Sequence, residues 1–159
     1  MTIKPLIMKV KKIVFVALLL FSMNSFGQIW DKIETKDGIH YITNNMEYID
    51  FPLLGTYLFQ GKEPVVELNE YGVGFYQLHE QLKRAVTWGL ECDDRGALLY
   101  KKGFDNASYT LWYQYTTKSE DDTEEDMNWK PVEFTIHFNT LKMFIQGERS
   151  KDYKEIPEK

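Results

Sequence analysis

Six carboxylates fall within seven residues, Glu120, Asp121, Asp122, Glu124, Glu125 and Asp126, a density that could serve a hard cation. An EF-hand calcium loop takes Asp-type ligands at alternate positions, a glycine at its sharp turn and a distant bidentate Glu. This run has neither the glycine nor the spacing, so it reads as a solvated, self-repelling loop between two strands. Glu91, Asp93 and Asp94 flank Cys92. Paired carboxyls can act as acid and base on a glycoside, but they need a fixed gap across a cleft and one raised pKa. The order Asp93-Asp94-Arg95-Gly96 is instead that of a turn. His40, His79 and His137 are the only histidines, and none lies within four residues of another, so no local metal motif exists. There is no Gly-x-Ser-x-Gly, no phosphate-cradling loop and no dinucleotide fingerprint. The expectation is a non-enzymatic protein with no catalytic residue, no cofactor and no metal.

What remains is aromatic. The chain has 10 Tyr, 10 Phe and 4 Trp, and flat side chains of this kind pack well on pleated sheets. Trp88, Trp112 and Trp129 fall in expected strands and Trp30 in the segment before them. Trp112 stands between Thr110 and Gln114, on the face opposite Leu111 and Tyr113, so it either lines a cavity or forms an exposed anchor.

These residues need elements to hold them. From Leu53 onward the apolar pattern has period two and is broken every eight to twelve residues by turn chemistry, which argues an antiparallel all-β domain. Strands are expected over Leu53 to Gln60, Pro64 to Leu68, Val73 to His79, Arg84 to Cys92 and Ala97 to Lys102. Ala107 to Thr117 alternates most clearly, with Ala107, Tyr109, Leu111, Tyr113 and Tyr115 facing a core. Val132, Phe134, Ile136 and Phe138 continue the inward face, followed by a single strand over Leu141 to Glu148 with Met143 and Ile145 inward. One or two shorter strands are expected within Ile39 to Asp50, and a single helical turn near Gln28 to Lys32 or His79 to Lys83. Eight or so meandering strands can close into an up-and-down barrel, which removes exposed edges; a β-sandwich is the alternative.

The N-terminal segment is an address. Lys9, Lys11 and Lys12 precede an apolar run from Ile13 to Phe21, which is too short to span a bilayer and ends near the small residues Ser25 and Gly27. Residues 1–27 therefore read as a signal peptide cleaved after Gly27, with Met8 as an alternative start. The expected layout is then a leader over 28–50 with short strands, a barrel domain over 51–150 and a frayed tail over 151–159. Cleavage removes four lysines and no acid, which moves the formal charge from -5 to -9 and disfavours nucleic acid as a partner. The mature product is expected in the periplasm or outside the cell and not spanning the membrane. Cys92, alone in an oxidising compartment, reads as a small buried hydrophobe.

Gly55-x-Tyr57 after Pro52 resembles the Gly-x-Trp opening of lipocalins, and Gly147-Glu148-Arg149 is similar to the arginine that closes their last strand over that Trp. Tyr57 stands here in place of the Trp. The whole layout resembles small exported lipocalin-like proteins of Bacteroidetes-type bacteria. The resemblance implies a barrel with a cavity for a small apolar or amphiphilic ligand, and no catalytic residue. Tyr57, Phe75, Trp88, Tyr109, Trp112 and Phe134 are the expected ligand contacts. The alternative is a module that docks an envelope protein or glycan through an exposed aromatic face. Expressed in a Gram-negative host, the full chain should be recovered from the periplasm with Gln28 as its first residue, by intact-mass measurement. Recovery in the membrane fraction at full length would mean an anchor instead.

Overall fold

The alternation of apolar and polar residues is realised as strands because each strand can then bury one face and wet the other. The computed structural model describes residues 30–45, 53–59, 62–77, 82–140, 142–145 and 148–150. The signal-peptide reading, His79 and the tail over 151–159 lie outside them. The strands are β1 (Asp31–Thr35), β2 (Gly38–Thr43), β3 (Gly55–Phe59), β4 (Lys62–Leu68), β5 (Val73–Gln77) and β6 (Arg84–Cys92), followed by β7 (Tyr100–Lys102), β8 (Asn106–Tyr115), β9 (Lys130–His137), β10 (Lys142–Ile145) and β11 (Glu148–Ser150).

Every pairing is antiparallel. β3, β4, β5 and β6 pair in chain order, as do β8, β9, β10 and β11. Two long-range pairings join these runs into a ring. β6 pairs with β8, setting Val86 opposite Tyr115 and Leu90 opposite Leu111. β11 pairs with β3, setting Arg149 opposite Leu58 and Ser150 opposite Tyr57. The architecture is an up-and-down barrel of eight strands, its lightest seam at β11, which makes only two residue pairs with each neighbour. β7 stands outside the ring, paired to the first half of β8 through Tyr100–Tyr109 and Lys102–Ala107.

The inward set is the expected one. Leu111, Tyr113 and Tyr115 of β8, Val132, Phe134 and Ile136 of β9, and Met143 and Ile145 of β10 are all buried in one cluster with Tyr57, Val66, Tyr76 and Trp88. Tyr76 and Tyr113 stack at 4.5 Å between ring centroids, and Tyr57 meets Phe134 edge-on at 6.4 Å. The polar tips inside are satisfied: the Tyr57 hydroxyl donates to the Leu53 carbonyl and the Trp88 indole to the Val73 carbonyl, both at 2.8 Å. Each fully buried side chain of this size contributes about 1.5–3 kcal/mol. Phe138, expected inward, lies one residue beyond β9 and is exposed. The single strand expected over Leu141 to Glu148 is two, β10 and β11, which pair with each other through Phe144–Arg149 and Ile145–Glu148.

The largest departure from the sequence reading precedes the barrel. Asp31 and Lys32 are strand rather than a helical turn, and β1 and β2 form a hairpin that adds to β6 through Tyr41–Cys92 and Thr43–Leu90. β2 takes over on β6 near the point where β5 begins. Gly72 makes this meeting possible: its φ is +69°, and a Cβ there would stand 2.8 Å from the Trp88 carbonyl oxygen and against the Asn44 amide. The hairpin then laps the outside of the barrel, where Ile33 and Ile42 bury Trp112 with Trp129 packed alongside. Gly89, opposite Trp112 on β6, leaves the room for this, since a Cβ there would lie 3.0 Å from Ile42.

Gly89→Ala should therefore lift the hairpin and cost about 1–3 kcal/mol, the usual penalty for overpacking. Thermal unfolding would measure the loss, and a red shift of tryptophan emission would show Trp112 becoming wet.

Candidate binding surface

The six residues expected to contact a ligand part company in the barrel. Tyr57, Trp88 and Phe134 are buried inside it, Tyr109 is half-buried at one end, Phe75 is exposed on the outside, and Trp112 is outside but covered by the hairpin. Phase explains the split, because Phe75 and Trp112 fall on the outward beats of β5 and β8. Phe75 carries the Lys83 ammonium 4.6 Å above its ring. Three of the six form a graded aromatic series with Tyr100. Tyr100, 56% exposed, lies 5.4 Å from Tyr109, which lies 6.0 Å from the fully buried Phe134, which in turn meets Tyr57.

Beside this series the surface opens into a groove of about 370 Å³. Its walls come from β7 and the residue before it (Leu99, Tyr100, Lys101), from Ser108, Tyr109 and Thr110 of β8, from Pro131, Val132 and Glu133 of β9, and from Glu91 of β6. Leu99, Tyr100, Tyr109, Pro131 and Val132 give it apolar surface, and Lys101, Glu91, Glu133, Ser108 and Thr110 give it one ammonium, two carboxylates and two aliphatic hydroxyls. The Ser108 hydroxyl is 3.0 Å from that of Thr135, which fixes this part of the wall. Sequence reasoning missed Tyr100, Lys101 and Glu133. The outward phase of Ser108 and Thr110 was readable from β8, but the groove exists because β7 leaves the ring, and period two carries no signal for that.

At the same end of β8 the chain gathers exposed aromatics. The amide of Phe138 donates to the Asp105 carbonyl at 2.8 Å, which brings the β9–β10 turn against the β7–β8 turn. Phe104 is fully exposed there, with Tyr100 and Phe138 also open to solvent.

At the opposite end of β8 lies the acidic run, exposed as expected but held by ion pairs. Arg84 donates to both Asp122 carboxylate oxygens, at 3.0 and 2.6 Å, while its guanidinium lies 3.7 Å over the Tyr115 ring. Lys118 pairs with Glu124, Lys130 with Asp126 and Lys36 with Glu125. Four of the six carboxylates, Asp122, Glu124, Glu125 and Asp126, thus have a cationic partner, while most of the loop stays exposed to solvent. Among the described residues no group of His, Cys, Asp and Glu is arranged to hold a metal ion.

Under the hairpin, His40 Nδ1 meets Glu91 Oε1 at 2.9 Å and its ring lies tilted 4.5 Å from that of Trp112. His40 Nε2 and the Trp112 indole N–H are both buried without a hydrogen-bond partner among the described residues. Cys92 is buried, and burial, with Asp93 and Glu91 beside it, pushes its thiol up to about 11. It stays a neutral thiol near pH 7 and has little nucleophilic character. Asp93 instead serves the turn, accepting from the amides of Arg95 and Ala97 at 2.9 Å each.

Fold and surface together define a small antiparallel β-barrel, its described inward side chains buried in one cluster, with an external hairpin. Comparison with known proteins finds no matching family model, curated protein or solved structure. No helix among the described residues is long and apolar enough to cross a membrane.

The loop should respond to acid. The Thr123 hydroxyl and amide and the Lys130 ammonium hold Asp126 down to about 2, the Ser119 amide and Arg84 lower Asp122, and Lys118 lowers Glu124. Carboxylates depressed in the folded state stabilise it above their ordinary pKa near 4, and that contribution is lost as pH falls through the folded values. The loop is expected to stay docked at neutral pH and to release between about pH 4 and pH 2. Amide exchange or NMR shifts of residues 118–128 would record this, and Asp126→Asn should move the release to higher pH.

Proposed function

We propose that this protein is an exported, non-enzymatic binding barrel of lipocalin-like type whose ligand is a small amphiphile held on the outside of the barrel. The observation that carries the reading is the groove between β7, β8 and β9. Its volume of about 370 Å³ falls in the ordinary range for small-molecule sites, and its lining combines apolar and charged side chains. Leu99, Tyr100 and Tyr109 suit a short hydrocarbon or ring, while Lys101, Glu91 and Glu133 suit a polar head. The packed aromatic interior argues against a ligand enclosed at the barrel centre, as Tyr57, Trp88 and Phe134 are each 2% exposed or less. Export rests on the basic-then-apolar order of residues 9–21 and the small residues before Gln28.

A second reading has its own observation. Tyr100, Phe104 and Phe138 stand exposed where the β7–β8 and β9–β10 turns meet, and aromatics so placed favour docking to a protein or envelope glycan.

Native mass spectrometry of the exported product, purified without detergent, tests the first reading. A reproducible small-molecule adduct is expected, released on unfolding and lost in Thr110→Phe, which fills the groove. An adduct that survives this change, or a clean protein mass even after incubation with single-chain amphiphiles, would leave the docking reading in its place.

A further inference from the structure

Glu91 belongs to two places at once. It lines the groove beside β7, and it also meets the hairpin, where Ile42 lies opposite it and His40 Nδ1 reaches its Oε1 at 2.9 Å. An ionised carboxylate only accepts, so this bond keeps a proton on Nδ1. The second carboxylate oxygen of Glu91 has no partner among the described residues, and its side chain is only 21% exposed, so its charge is screened less than that of a free surface group.

The strand register lays out the charges of the groove. Lys101 stands opposite Ser108, and Ser108 opposite Thr135, in one row across β7, β8 and β9. Thr110 stands opposite Glu133 in the next row of that face, and Glu91 follows Leu90, the partner of Leu111, so β6 brings it to the same row. Two residues along β8 span about 7 Å, which separates the ammonium from the carboxylates. Lys101 and Glu133 make no ion pair among the described residues. The lining thus sets two carboxylates against one ammonium, and the formal charge of -5 on the chain has the same sign. An anionic head would find one partner in a negative field, and a cationic head finds two in an attractive one.

His40 bears on that balance, because histidine changes its charge between about pH 5 and pH 8. Its protonated ring offsets the Glu91 charge, which leaves Glu133 alone against Lys101. The groups around it are few: Asp31 shares its face of the hairpin, Lys32 and Glu34 of β1 pair with each other, Cys92 stays a thiol, Asp93 is engaged by the amides of its turn, and Trp112 lies against the ring from β8.

We propose that the groove selects an amphiphile with a cationic ammonium head, held by Glu91 and Glu133, and that His40 is the positioning residue that fixes Glu91 and, when protonated, withdraws its charge from the ligand. This rests on the reading of the groove as an amphiphile site and names the head group.

Titration of the exported protein with octyltrimethylammonium, octyl sulfate and octyl glucoside below their micelle concentrations, read by calorimetry and by amide NMR shifts of Ser108 to Thr110, tests it. At about pH 8 the ammonium compound should bind at least about fivefold tighter than the sulfate. Glu133→Gln, a change of charge without shape on an exposed position, should weaken it about two- to fivefold, the size of one exposed charge interaction. Lowering the pH to about 5.5, where ordinary carboxylates remain ionised and the quaternary probe keeps its charge, should weaken it by a similar factor. His40→Gln, whose amide can still donate to Glu91, should bind as tightly as the parent at the higher pH and lose the pH dependence, an effect that a purely structural role would not produce. Equal or tighter binding of the sulfate would overturn the proposal with the amphiphile reading intact, whereas no shift with any of the probes would overturn both. A parent whose affinity ignores pH, or a pH dependence that survives in His40→Gln, would overturn the role given to His40.

Discussion

The nine residues of β6 are paired with three other strands: Tyr76 to Val73 of β5 lie along Arg84–Thr87, Tyr41 to Thr43 of β2 along Leu90–Cys92, and Leu111 to Tyr115 of β8 along Val86–Leu90. The ring closes through the last of these, and the hairpin docks through the second. Sharing demands a strand whose two faces differ sharply. Val86, Trp88, Leu90 and Cys92 are buried inward, while Thr87, Gly89 and Glu91 face out, where a bulky side chain at the middle position would exclude Ile42. One glycine on the outer face of one strand thus decides whether the barrel is bare or clothed at Trp112.

The consequence for function is a displacement from centre to surface. A barrel this rich in tyrosine fills itself: the stacked pair Tyr76 and Tyr113, with Tyr115 edge-on to the latter at 5.7 Å, occupies volume that a more aliphatic barrel would leave open. Burial also pushes the Tyr113 and Tyr115 hydroxyls up, keeping them neutral as core groups must be. Two clefts among the described residues lie where extra elements meet the ring, one beside β7 and one beneath the hairpin.

The strands of the ring were readable because period two is a local property. β6 begins and ends at the expected residues, and the inward set on β8 and β9 is the set that alternation names. Elements whose form depends on distant partners were not. A short strand within 39–50 was expected and β2 supplies it, but β1 and the hairpin's pairing with β6, some fifty residues on, were not legible. The acidic run is solvated as expected, but the pairing of four of its carboxylates was not legible, because Arg84, Lys118, Lys130 and Lys36 are scattered through the chain and only the fold brings them to it. The split of the candidate contacts has the same origin. Aromatic type alone marked Phe75 and Trp112, but phase put them outside, and the partner that buries Trp112 is carried by residues 33 to 42.

The pairing of β3 with β11 joins Tyr57 to Ser150, a separation of more than ninety residues. While the chain is being made, the edge of β3 has no partner until nearly the whole sequence has emerged, and Ile33 and Ile42 wait for Trp112 in the same way. Contacts so distant in sequence slow folding, because loop closure must precede the contacts that reward it. An unpaired strand edge in the meantime is a template for another chain. The same topology that leaves the finished barrel few edges therefore makes its half-made form the one most prone to aggregate, and ties successful production of the protein to how long that open edge persists.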